Sequence, residues 1–258
     1  MAQLDNRRRA YLDAMGIDVW VPAQGVTNPE VEVSKMPINE ITQNEAAQLE
    51  KPSINEEATA AEATITNEAS ADVSSMDWSA LQTVVSACTL CDLHKTRSQT
   101  VFGVGNTNAD VLIIGEAPGA DEDKQGEPFV GSAGQLLNAM LKAIGFERND
   151  VYIANILKCH PPQNHNPSVE EAEACWAYLK RQIELVQPKI ILALGRIAAQ
   201  RLLKTNTSLA RLRGKQHYLE EFSVPVIVTY HPAYLLRAPQ EKRKAWEDLQ
   251  SLISKLSE

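Results

Sequence analysis

The chain has 258 residues, 22% of them charged, with a formal net charge of −8 and four cysteines. No run of about eighteen apolar residues occurs, which excludes an apolar membrane-spanning helix. The charged stretch Met1–Arg9 leads into no apolar core of a secretory leader, so none is expected. The cysteines are therefore expected in a reducing cytoplasm, as metal ligands or buried thiols rather than disulfides.

The charge is unevenly spread. Residues 1–76 carry thirteen Asp/Glu against five Lys/Arg, while residues 77–258 carry twenty of each sign. Within 195–244, ten Lys/Arg stand against three Asp/Glu. A basic stretch on a neutral body is compatible with phosphate contact, and an ordinary solvated face would give the same count.

Residues 1–23 form a short basic then apolar segment. Leu4, Tyr11, Leu12, Met15, Ile17 and Trp20 could line one side of a helix and the extended stretch after it, but the segment is too small to bury a core alone. Residues 24–76 hold ten acids, two bases and no aromatic residue, a composition expected of a disordered acidic linker.

Residues 77–258 read as the folded unit. Apolar runs at Asp110–Gly115, Val151–Ala154, Lys189–Leu194 and Pro225–Tyr230 predict buried strands. Helical patterns at Gly134–Ile144, Val169–Val186, Arg196–Leu203 and Gln240–Leu256 separate or follow them, and Ser168 with Glu171 has capping-box spacing. The alternation predicts a three-layer α/β/α fold around a central, mainly parallel four-stranded sheet. The crevice beyond the strand C-termini is the usual ligand site in such a sheet. Glu116, Asn155 and His231 all fall there.

Cys88 and Cys91 form a Cys-x-x-Cys pair, and Cys159 and Cys175 follow with fifteen residues between them. A close pair puts two thiolates on one centre, and two distant ligands tie separate loops together. Thiolates suit zinc or an iron–sulfur cluster, though the spacing is not that of a zinc ribbon. Four unrelated buried thiols are the bland alternative.

Seven stretches then occur in order: Cys88-Thr89-Leu90-Cys91; Gly115-Glu116-Ala117-Pro118-Gly119; Gly126-Glu127-Pro128-Phe129-Val130-Gly131 with Gly134; Asn155-Ile156-Leu157-Lys158-Cys159-His160-Pro161-Pro162; Cys175; Leu194-Gly195; and His231-Pro232-Ala233. Together they resemble the family 4, iron–sulfur type of uracil-DNA glycosylase over about residues 80–250. The resemblance implies hydrolysis of the bond between uracil and deoxyribose in DNA, and a structural 4Fe-4S cluster on Cys88, Cys91, Cys159 and Cys175.

An enzyme acting on a base must extrude it from the duplex. Phe129 is the expected stacking platform for the flipped base, unless it is a core aromatic. Asn155 can accept from uracil N3–H and donate to O4, a pattern cytosine does not match; capping a turn is its structural alternative. A neutral His231 can donate to O2 as charge builds on the leaving base. The resemblance places uracil against backbone amides of the Gly115–Gly119 loop. Ala117 stands where the best-known glycosylase family has a water-positioning aspartate, so Glu116 is the expected organiser of water.

Leu235, Leu236 and Arg237 fit a wedge entering the base stack beside a phosphate, or equally the first turn of the last helix. Arg213, Arg196, Arg211 and Lys215 are candidate phosphate contacts. A related branch of the family links covalently to DNA through a histidine in a basic insert. The stretch between Cys159 and Cys175 lacks that insert, so His165 is not expected to be a nucleophile.

Residues 1–23 resemble the N-terminal peptide of the psi subunit of bacterial polymerase III, which implies docking to a replication protein. Packing on the chain's own folded unit is the alternative. The expected species is a monomer acting on uracil-containing DNA. A non-catalytic iron–sulfur nucleic-acid-binding module of the same fold, or a metalloprotein with a different hydrolase activity, are the competing readings.

Overall fold

The computed structural model describes residues 72–257. The docking-type segment 1–23 and the acidic linker up to residue 71 lie outside the described residues. Residues 72–76, also assigned to the linker from composition, pack on the folded body. Asp72 accepts a hydrogen bond from Ser74 N at 3.0 Å, and Val73 is buried with Leu81, Val85, Phe102 and Tyr178. One aliphatic side chain anchors a stretch whose average composition reads as unfolded.

In chain order the elements are α1 (Trp78–Ser86), β1 (Val104–Gly105), β2 (Val111–Gly115), α2 (Ala120–Gln125), α3 (Ser132–Ala143), β3 (Tyr152–Asn155), α4 (Val169–Val186), β4 (Ile190–Leu194), α5 (Arg196–Leu202), α6 (Leu209–Leu212), β5 (His217–Leu219), β6 (Val224–Thr229), α7 (Pro232–Arg237) and α8 (Lys242–Leu256). The sheet order is β1-β3-β2-β4-β6-β5. The four expected strands form its parallel interior, and β1 and β5 add short antiparallel edges. The sheet thus has six strands rather than four. The edge strands are too short to carry a readable alternation.

Strict alternation along the inner strands divides the core. Leu112 and Ile114, Tyr152 and Ala154, Ile191 and Ala193, and Val226 and Val228 face α4 and α5. Val111, Ile113, Ile153, Ile190 and Leu192 face α3 and α8. Each fully buried Leu or Ile contributes roughly 1.5–3 kcal/mol. Helices on both faces of a mainly parallel sheet give the expected three layers.

The caps follow local chemistry. Ser168 Oγ accepts from Glu171 N at 3.1 Å while Glu171 Oε2 accepts from Ser168 N at 2.8 Å, so the capping box that opens α4 is formed. Pro232 opens α7, and Pro239 separates it from α8, so the residues after His231 form a helix of their own.

Candidate functional site

The parallel strands β3, β2, β4 and β6 end in that order along one edge of the sheet, and a cleft of about 470 Å³ opens beyond them. Its walls include Glu116, Ala117, Gly119, Phe129, Asn155, His231, Tyr234 and Arg237. Parallel pairing puts Gly115 opposite Asn155. The ladder continues past the strand ends, because Ile156 N donates to Gly115 O at 3.0 Å and Leu157 N to Glu116 O at 3.1 Å. A Cβ on Gly115 would lie 2.3 Å from Asn155 Oδ1 and 2.8 Å from Phe129 Cζ. Glycine at this position is what lets the amide and the ring reach one another. Asn155 is 2% exposed, and its Oδ1 has no hydrogen-bond partner among the described residues. A buried acceptor left unpaired costs about 1–3 kcal/mol until a ligand satisfies it.

Phe129 is buried and holds a left-handed backbone, φ 54°. Such a conformation persists in a bulky residue only when its surroundings enforce it. Three groups do so. Gly134 in α3 makes room, since a Cβ there would sit 1.8 Å from Phe129 O. Arg148 donates to the carbonyl oxygens of Pro128 and Phe129 and pairs with Glu127 Oε1 at 3.1 Å. Glu122 Oε1 accepts from Val130 N at 3.0 Å and Gly131 N at 3.3 Å. Neither Arg148 nor Glu122 was singled out from sequence as a loop-holding residue. Their contacts are long-range or made to backbone, which no local pattern announces. His160, also missed, places Nδ1 2.8 Å from Pro118 O and ties down the Gly115–Gly119 loop.

His231 caps α7, with Nδ1 accepting from Ala233 N at 3.2 Å. That bond commits Nδ1 as an acceptor and leaves the neutral ring's proton on Nε2. Burial pulls the imidazole pKa down to about 4; the Arg237 charge pushes the same way and Glu122 opposes. The ring lies 5.5 Å from the Phe129 ring, tilted 30°, and a Cβ on Gly195 would approach His231 Cβ at 3.0 Å. Burial raises the Glu116 carboxyl above the ordinary range, and Arg196 partly offsets it.

The expected DNA-contact residues divide. Arg237 lines the cleft, and Leu236 is exposed. Leu235 is 1% exposed and packs in the core with Leu192 and Leu249, so it cannot enter a base stack. The phase of α7 turns Tyr234 outward instead; Tyr234 lines the cleft and stacks on Tyr230 with ring centroids 5.2 Å apart. Arg213 is not a phosphate contact. Its Nε and Nη2 bind Asp248 Oδ2 and Oδ1 at 2.7 and 2.9 Å, Nη2 also donates to Lys244 O, and the guanidinium lies over the Tyr230 ring. The buried carboxylate already uses its fork. Arg211 and Lys215 are exposed but absent from the cleft walls, and Arg196 sits in α5 beside Glu116. His165 lies on the rim, 3.7 Å from Glu171.

Cys88, Cys91, Cys159 and Cys175 line one interior cavity and form no disulfide. No three His, Cys, Asp or Glu side chains among the described residues converge as ligands of a single ion; the thiols instead ring the shared space. Burial raises the Cys175 thiol to about 12 and also raises Cys91 and Cys159. Arg97 meets the sulfurs directly, and Lys158 lies in the same cavity wall. Arg97 Nη1 donates to Cys159 Sγ at 3.0 Å while Nη2 donates to Cys88 O at 2.8 Å. Lys158 is 1% exposed, with Nζ donating to Asn155 O at 2.9 Å and Gln182 Oε1 at 2.6 Å. An all-sulfur donor set with cationic neighbours suits thiolate-ligated metal.

With that cleft beyond the strand ends, the chain belongs to the uracil DNA glycosylase superfamily, whose model matches residues 102–250. Within it the similarity is to type-4 uracil-DNA glycosylases. The Archaeoglobus fulgidus enzyme is 47% identical over 174 residues, 65% of this chain and 87% of the relative. The Thermotoga maritima enzyme is 42% identical over 174 residues, 66% of this chain and 90% of the relative. A type-5 uracil-DNA glycosylase of Pyrobaculum aerophilum is 31% identical over 146 residues, 51% of this chain and 64% of the relative.

Proposed function

We infer that this chain is a uracil-DNA glycosylase that holds an extruded uracil in the cleft between Phe129, Asn155 and His231 and hydrolyses its N-glycosidic bond, leaving an abasic site. The orphaned, buried Oδ1 of Asn155 carries the reading. Asn155 lines a space bounded by an aromatic ring and an imidazole donor, and uracil N3–H is a donor of the kind its unpartnered oxygen lacks. Cytosine has no hydrogen at N3, so it would leave that acceptor unpaired.

The chemistry follows from charge development. As the glycosidic bond lengthens, negative charge gathers on uracil O2 and positive charge on the sugar. His231 Nε2–H, neutral at pH 7, donates to O2, and a donor aimed at developing charge contributes about 2.7–4 kcal/mol. Glu116, half-buried in the cleft wall, orients water toward the sugar carbon. An oxocarbenium-like sugar demands little of its nucleophile.

The donor set around the cysteine cavity and the similarity to type-4 enzymes support a structural 4Fe-4S cluster on Cys88, Cys91, Cys159 and Cys175. Such a cluster would supply no step of the hydrolysis; it would tie the loop after α1 to the turn after β3 and the middle of α4. No helix among the described residues is long and apolar enough to cross a membrane, in keeping with a cytoplasmic site of action on DNA.

The test is release of uracil from a uracil-containing oligonucleotide, read as strand scission after alkali. Wild type yields scission. His231→Gln and Asn155→Ala lower the single-turnover rate about 10²–10³-fold. Uracil-dependent binding without scission would leave only a binding module.

A further inference from the structure

A second groove, of about 680 Å³, lies between α4 and α5 and contributes nothing to the chemistry above. Its walls include Ile156, Trp176, Arg196, Arg201 and Lys204, with Glu173 as the acid among them. Arg196, Arg201 and Lys204 form no ion pair among the described residues. The groove shares no wall residue with the cleft, but two of its wall residues lie just past the ends of β3 and β4. Ile156 follows Asn155 directly, and Arg196 begins the helix beyond β4 with its charge acting on Glu116. Both depressions therefore draw wall residues from the C-terminal ends of the parallel strands.

We propose that this groove is a subsite for the damaged strand, holding nucleotides beyond the immediate neighbours of the extruded uracil. The three cations take backbone phosphates, and the half-buried Trp176 indole offers a face for an unstacked base. Cations beside an aromatic platform are the general means of holding single-stranded nucleic acid without reading its sequence. An acidic peptide would use the cations but leave the indole unmatched. The proposal rests on the glycosylase reading, because the cleft fixes where the strand begins.

The experiment uses the full chain with two single-stranded substrates. One carries uracil with a single nucleotide on each side; the other extends about eight nucleotides each way, within the reach of one binding groove. The Arg201→Gln, Lys204→Gln double variant raises KM on the long strand about tenfold, leaves the saturating single-turnover rate unchanged, and lowers the salt slope of binding by about two. The short substrate is unaffected. Trp176→Ala weakens binding of the long strand, whereas Trp176→Phe restores it. An unchanged KM on the long strand, or an equal rise on the short one, overturns the subsite. A lower KM in the double variant also overturns it, by assigning the groove to the chain's own acidic residues 24–71. Anisotropy of a uracil-free strand judges the groove separately. Loss of that binding in the double variant supports the subsite even if wild type releases no uracil, a result that would sink the glycosylase reading alone.

Discussion

His231 spends one ring nitrogen on the amide of Ala233, and burial keeps the ring neutral. Its folded pKa of about 4 lies below the ordinary 6.5. Between those values the unfolded chain binds a proton that the folded chain refuses, so stability falls as pH drops from about 6.5 to 4. The loss reaches about 3 kcal/mol. Denaturant unfolding of wild type and His231→Gln at pH 7 and pH 4.5 should show a shallower pH dependence in the variant; identical dependence would assign the ring an ordinary pKa. Glu116 carries the opposite constraint. Its raised pKa means the ionised form appears later in a titration than for a free glutamate. Glu116→Gln is expected to slow single turnover at least about tenfold, and full retention of rate would remove Glu116 from water organisation. Asn155, His231 and Phe129 were legible in the sequence because strand ends and short motifs fix their place. The choice of Tyr234 over Leu235 was not, because it depends on the phase of a short helix that Pro239 cuts off from α8.

At the scale of elements, the Phe129 loop depends on parts distant in sequence. Arg148 gathers Glu127, Pro128 and Phe129 from the far side of α3. Replacing it with Met leaves four acceptors, on Glu127, Pro128, Phe129 and Asn138, without this donor and frees a left-handed backbone to relax. Arg148→Met should lower the single-turnover rate on uracil about tenfold by misplacing the platform, with a melting temperature only a few degrees lower. Comparable loss of rate in Phe129→Ala and in the Arg148→Met, Phe129→Ala pair would show the two acting as one unit. The inner strands and the helices α3, α4, α5 and α8 were readable from apolar runs and caps, and α4 matches its expected limits, whereas α1, α2 and α6 were not among the expected elements. Arg213 was misassigned because a basic stretch does not reveal which of its members a buried carboxylate captures; Asp248 lies on α8, far along the chain.

Across the whole molecule, the cysteine cavity joins three regions that the sheet alone does not hold: the end of α1, the turn after β3, and the middle of α4. Its spacing was legible, but the cations beside it were not. Lys158 is a buried amine, its pKa pulled down to about 7 by burial and pushed back up by the Cys175 and Cys159 sulfurs, and its hydrogen bonds go to a carbonyl and an amide oxygen rather than a carboxylate. Anionic sulfur nearby favours its charged form, and the same Nζ donates to the carbonyl oxygen of Asn155. Cys175→Ser is expected to lower the melting temperature by more than about 5 °C and to weaken the uracil pocket with it. An unchanged thermal midpoint would make the thiols passengers. The sheet's borders have a consequence of a different kind. β1 is two residues long and bounded by Gly105 at φ 117°, and β5 is three residues long and set against Pro225. Neither presents the long, flat, unpaired border on which a passing chain could add itself as another strand. The parallel interior, apolar on both faces and a hazard if laid bare, is thereby fenced against fibre-like growth while the fold stays intact.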